Sequence, residues 1–193
     1  MEDNQKYQDI LLTAQHLFWK FGIKRVTIEE ICKEAGVSKM TFYRFFKNKI
    51  ELARIVLGGI FTDAKEKYLS LMAQDIPFAE KVKQQVIMKF EGTKEISAEL
   101  IKDIYSGWNA ELKDYFEKTS SEMVLMVRND YLEAIDKGWI RKDVKVDFIF
   151  YMSQKMAELS SDPALLGLYN NPQELIMEFM NMMFYGILPR NDE

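Results

Sequence analysis

An all-α fold of about nine helices is predicted for this chain of 193 residues, and three observations predict it. Residues 26–49, VTIEEICKEAGVSKMTFYRFFKNK, hold three helix starts in about two dozen positions. Apolar residues recur at helical spacing between glycine and proline boundaries along the remainder. Alternating strand patterns, internal repeats and low-complexity stretches are absent from the sequence.

Helix one is expected from about residue 5 to 21, with Ile10, Ala14, Leu17 and Phe21 as its inward stripe and Gly22 as its stop. The sole histidine, His16, falls opposite that stripe and is expected at the surface. Thr27 and Glu30 form a capping box for helix two, about 28–35, and Val26 and Ile31 take the two positions of a hydrophobic staple. Ile28, Ile31 and Ala35 supply its inward face, with Cys32 as a small core residue. Gly36 breaks the helix where a positive φ is needed. Ser38 caps helix three, about 39–45, stapled by Val37 and Phe42. Asn48 and Glu51 repeat the pattern ahead of helix four, from Lys49 to about Met72.

Gly58-Gly59 falls inside helix four, where each glycine costs roughly 1 kcal/mol against alanine. It reads as a hinge or close-packing point, or else as an early end of the helix. Pro77 opens the next helix, to about Phe90. Gly92 and Gly107 bracket another over about 96–106, and a long helix over about 111–137 ends at Gly138. The last two cover about 145–160 and 172–187, with Pro163 and Pro172 marking the connection.

The third helix sorts its faces. At 100° per residue, Ser38, Phe42, Phe45 and Phe46 fall on one side, Met40 and Arg44 opposite, and Thr41 and Tyr43 on the flanks. Lys39 lies in the first turn, where free N–H groups and the positive end of the dipole suit phosphate. Two short helices joined by a tight turn place the second in the major groove of DNA. Thr27, Tyr43 and Lys49 are therefore assigned to phosphate, and Lys39, Thr41 and Arg44 to base edges. Lysine or arginine suits guanine O6 and N7, and a threonine methyl suits the thymine methyl.

Residues 6–60 resemble the DNA-binding domain of TetR-family (tetracycline-repressor-like) transcriptional regulators. The resemblance is carried by ILLTAQHLFWKFG, VTIEEICKEAGVSKMTFYRFFKNK and IELARIV. It implies a three-helix DNA-binding domain over residues 1–48, and a helical domain over 49–193 for ligand binding and dimerisation, linked by helix four. It also implies a homodimer on a palindromic operator, released when a small ligand fills the C-terminal domain. Phe45 stands where such proteins often carry histidine, Met40 where a small residue or proline is common, and Cys32 where alanine is usual.

Charge is unevenly spread. The whole chain carries −4. Residues 1–60 hold ten basic and seven acidic side chains, hence +3, leaving sixteen and twenty-three, hence −7, for the remainder. A basic patch on an acidic body is the footprint expected of a specific DNA binder. A charged fraction of 29% and a hydrophobic fraction of 48% describe an ordinary folded chain. No signal-peptide pattern or membrane-length apolar run occurs, and one cysteine excludes an internal disulfide framework, so a cytoplasmic setting is expected.

Ile149, Met152, Met156 and Leu159 form one helical stripe, and Ile176, Phe179, Met180, Met183, Phe184 and Ile187 another. Phe148, Phe150, Tyr151, Met177 and Met182 widen both beyond one face, so both helices need cover on two sides. A two-fold dimer through these helices is expected, with the ten stripe residues as its interface. Phe90, Tyr105, Trp108, Phe116, Met123 and Met126 are candidates to line a pocket for a largely apolar small molecule. No cofactor or metal spacing appears, and one histidine and one cysteine supply no nucleophile–base pair, so an enzyme is not expected. The alternative to a ligand-released repressor is a dimeric DNA binder regulated by a protein partner.

Overall fold

The computed structural model describes residues 2–159 and 162–187, apart from the side chains of Ala157 and Ile187. Ten helices occupy them, with no strand among the described residues. They are α1 (Glu2–Phe21), α2 (Ile28–Glu34), α3 (Lys39–Phe45), α4 (Lys49–Met72), α5 (Phe78–Gly92), α6 (Ala98–Tyr105), α7 (Ala110–Asp136), α8 (Val146–Leu159), α9 (Pro163–Leu166) and α10 (Pro172–Ile187).

The short turn α9 is the element the sequence reading lacks. Asp162 caps it through hydrogen bonds from the Ala164 and Leu165 amides, and Pro163 takes its first position. An acidic residue before a proline is a helix start, read above only as a connection. Helix four runs unbroken through Gly58-Gly59, which removes the early-end reading. A Cβ on Gly58 would stand 2.6 Å from the Tyr115 hydroxyl, whereas one on Gly59 would meet nothing within 4 Å. Gly58 is thus a close-packing point.

The chain divides into two units, the first Met1–Asp63 with Glu95–Glu117, the second Ala64–Lys94 with Lys118–Glu193. In the first unit, Ile10, Ala14 and Phe18 of α1, Ile31 of α2, Phe42 of α3 and Leu52 of α4 share one core. Leu100 of α6 and Leu112 of α7 belong to it as well. The Ser97 amide, at the start of α6, donates to the Trp19 carbonyl at 3.0 Å. Gly22 ends α1 with φ +79°, and a Cβ there would stand 2.6 Å from Asp103 Oδ2. That carboxylate accepts the Lys24 amide at 2.7 Å, so glycine is needed both for the turn and for the approach of α6.

The second unit is centred on Phe78, Val82, Tyr131, Ala134, Ile140, Val146, Ile149 and Phe184. Phe78 meets Tyr131 edge-on at 6.0 Å and stacks on Trp139 at 5.7 Å. The Tyr68 hydroxyl donates to Asp130 at 2.8 Å. Burial, then the Asp130 carboxylate, hold the Tyr68 phenol far above the ordinary tyrosine range; burial does the same to Tyr131.

Here the expected dimer stripe needs correction. Ile149, Met156 and Phe184 are buried within the protomer, and Met180 and Met183 pack against the same core. Met152, Ile176 and Phe179 are half-buried. Leu159 alone of the ten is exposed among the described side chains, and Ile187's side chain lies outside them. The outward apolar face is the other side of the same helices: Phe148 and Tyr151 on α8, Met182 and Tyr185 on α10. On helices apolar almost all round, the core selects the side that fills its shape, and spacing alone cannot tell the two apart.

Candidate nucleic-acid interface

The helix-turn-helix is built from its caps. Thr27 Oγ1 accepts the Glu30 amide at 3.2 Å, and the Glu30 carboxylate accepts the Thr27 amide at 2.8 Å. Those bonds hold the Glu30 carboxyl below its ordinary range. Val26 and Ile31, the staple, are both buried. The Val37 amide reaches back to the Cys32 carbonyl at 2.9 Å across Gly36, which takes φ +66°. Ser38 Oγ accepts the Thr41 amide at 3.1 Å and opens α3. Asn48 Oδ1 accepts the Glu51 amide at 2.9 Å and opens α4.

Phe42 and Phe46 are buried beneath α3, and the Tyr7 ring of α1 stacks on Phe46 at 5.2 Å and meets Phe45 edge-on at 5.7 Å. This aromatic layer fixes the outward direction of Lys39, Met40, Tyr43 and Arg44, all exposed. Lys39 pairs with Glu29 of α2, which raises the lysine's pKa and lowers the carboxylate's. Arg44 lies over the Phe45 ring at 4.8 Å and pairs with Asp3 of α1 at 2.7 Å. Tyr43 stands edge-on to Phe42 at 5.4 Å.

Three of the six assigned side chains are more committed within the fold than spacing suggests. The Thr27 hydroxyl serves the capping box, donating to Glu30 at 2.9 Å. Thr41 is half-buried, its hydroxyl 3.0 Å from that of Ser38. Lys49 is half-buried, and its ammonium donates to the Val26 carbonyl at 2.6 Å and the Lys24 carbonyl at 3.0 Å. Desolvation there pushes its pKa down. Two of its three N–H groups thus tie the α1–α2 loop to α4. Lys47, exposed just after α3, is a further cation beside the interface that was not singled out, though the run Lys47-Asn48-Lys49 carries the signal.

The six pocket candidates are divided between the two units. In the first unit, Tyr105 meets Phe116 edge-on at 5.6 Å, Phe61 packs on Phe116 at 5.5 Å, and Trp108 borders the core with its indole N–H buried and unpaired. In the second unit, Phe90 is exposed and Met123 and Met126 are half-buried. An open groove between α4 and α5, lined by Glu66, Ser70, Gln74, Ile76, Gln84 and Met88 among others, includes none of the six. Cys32 is buried, which pushes its thiol pKa up, and His16 is exposed. Among the described residues no acidic, histidine or cysteine group has metal-ligand geometry, and no helix is long and apolar enough to cross a membrane.

The family model of bacterial regulatory proteins of the tetR family matches residues 10–55, the segment from mid-α1 into α4. An uncharacterised HTH-type transcriptional regulator of Bacillus subtilis, YhgD, is 26% identical over 134 residues, covering 68% of this chain and 70% of that protein. The fold is similar to that of the fatty acid degradation regulator FadR from Bacillus halodurans, with a TM-score of 0.75 and 19% identity over 96% of this chain and 97% of that one. It is also similar to FadR from Bacillus subtilis, solved in complex with stearoyl-CoA, with a TM-score of 0.70 and 16% identity over 94% and 99%. These relatives are transcriptional regulators, not enzymes. With its capped helix-turn-helix over the matched segment and its all-helical body, the chain carries the DNA-binding helices of the tetR family and resembles TetR-family helix-turn-helix transcriptional regulators along its length.

Proposed function

We propose that the protein is a homodimeric repressor that reads a palindromic operator through α3 and leaves it when a largely apolar small molecule binds the body. The observation that supports this best is α3 itself, whose aromatic underside is buried and whose cationic side chains face outward. Tyr43, Lys39 and Arg44 carry the contacts, Tyr43 to phosphate and the two cations to base edges or phosphate. Thr27 and Lys49 act first by fixing the loop before α2, and the third Lys49 N–H is left to reach a phosphate. Residues 1–48 form the reading head and 49–193 the responding body.

The exposed face of α8 and α10, with Phe148, Tyr151, Leu159, Met182 and Tyr185, supports dimerisation. Two copies meeting through it would form a four-helix interface. The two α3 helices would then lie about 34–36 Å apart, one DNA turn, or at another spacing set by the dimer. A ligand that binds only the wrongly spaced dimer shifts the population off DNA, within the limit of its differential affinity. The half-buried aromatic and methionine side chains of α6 and α7 support an apolar ligand, and the stearoyl-CoA bound by a fold relative makes a long-chain acyl thioester the first probe.

The test is selection of duplexes from a random pool by wild type and by the Tyr43→Ala/Arg44→Ala variant. A palindrome enriched by wild type alone, with affinity falling steeply with salt, is expected. Stearoyl-CoA is then added to the complex, and release of DNA is expected. Release by no acyl thioester of any chain length would favour regulation by a protein partner, and no enrichment by a folded dimer would sink the DNA reading.

A further inference from the structure

The side chain most exposed on the reading helix is apolar. Met40 is 83% exposed, the highest value among the large hydrophobic side chains of the described residues. It is the second residue of α3, on the side opposite the buried Phe42 and Phe46. Its neighbours have partners within the fold: Lys39 has Glu29, Thr41 has Ser38, Tyr43 has the Phe42 ring and Arg44 has Asp3. Met40, Thr41, Tyr43 and Arg44 together line a shallow depression in the surface.

We propose that Met40 is a sequence-reading residue whose thioether side chain packs on the C5-methyl group of a thymine in each half-site. The inference rests on the DNA-reading role of α3 set out above. In the major groove thymine alone presents a methyl group, and an apolar side chain recognises it by excluding water from both. An unbranched methionine with three rotatable bonds adapts to a methyl whose position varies with groove width. The depression that Met40 lines together with Thr41, Tyr43 and Arg44 gives that methyl a seat. Lys39 and Arg44 must each exchange a carboxylate for DNA, whereas the Met40 thioether, with no ion pair to break, meets the base without that exchange. The fold therefore provides an apolar reading position next to two cationic ones, a pattern suited to thymine beside guanine.

The test uses the full chain and the duplex that wild type selects from the random pool. Each thymine is replaced in turn by deoxyuridine, which lacks only the methyl. Wild type is expected to lose about fourfold in affinity at one thymine per half-site, the worth of one methyl-sized burial. Replacing both symmetric thymines should cost about fifteenfold, the two losses being additive in free energy. Met40→Ala should bind the thymine and deoxyuridine duplexes equally at that position and keep the wild-type response at every other. Met40→Leu, apolar and of similar volume, should restore the discrimination. Identical deoxyuridine profiles for wild type and Met40→Ala overturn the inference while leaving the operator reading intact. A wild type that enriches no duplex overturns the operator reading and this inference with it.

Discussion

Lys49 illustrates how one residue can serve both a fold and a surface. Its ammonium joins two carbonyls of the α1–α2 loop. Hydrogen bonds to a charged group carry about 1.5–3 kcal/mol each, and partial exposure reduces that. Lys49→Ala is therefore expected to lose about 1–2 kcal/mol of stability in urea unfolding as well as affinity for DNA; loss of affinity without loss of stability would place Lys49 wholly on the phosphate. Asp3 and Glu29 act in the opposite sense, holding Arg44 and Lys39 in the free protein. Asp3→Asn should tighten operator binding by about twofold, the scale of an exposed ion pair, and flatten nothing else in the salt dependence. The caps around α2 and α3 were legible because a cap and its partner lie three residues apart. The Asp3–Arg44 pair was not, because its members are 41 residues apart and meet only once the fold brings the start of α1 beside α3.

At the level of whole helices, the pair Gly58-Gly59 separates two effects in adjacent positions. Gly59→Ala meets open space inside a continuous helix and should stabilise the protein by about 1 kcal/mol. Gly58→Ala must displace the Tyr115 hydroxyl and should lose that gain or reverse it. Thermal unfolding of the two variants checks both, and equal shifts would mean that α4 and α7 do not pack as described. Nearly all helix boundaries could be read from glycine, proline and caps. The faces of α8 and α10 could not, since burial of Ile149 and Phe184 depends on which side Val82 and Tyr131 present to them.

For the molecule as a whole, buried tyrosines set an alkaline limit. Tyr68 and Tyr131 keep their protons in the folded state well above pH 10, near which they ionise in the unfolded chain. Above about pH 10 the unfolded state thus holds fewer protons, and stability falls as pH rises, by about 1.4 kcal/mol per pH unit for each tyrosine. Tyr68→Phe should make that decline shallower between about pH 10 and 11.5, measured by urea midpoints. The outward face of α8 and α10 carries a second expectation. Tyr151→Glu with Tyr185→Glu should yield a folded monomer in sedimentation, and a dimer that survives both charges would place the interface elsewhere. The core that supports α3 also contains Leu100 and Leu112, and α6 is bonded to α1 through Ser97 and to the Lys24 amide through Asp103. Anyone grafting this reading head onto a foreign effector domain must therefore move two separate stretches of chain, residues 1–63 and 95–117; the first alone would arrive with one wall of its interior missing.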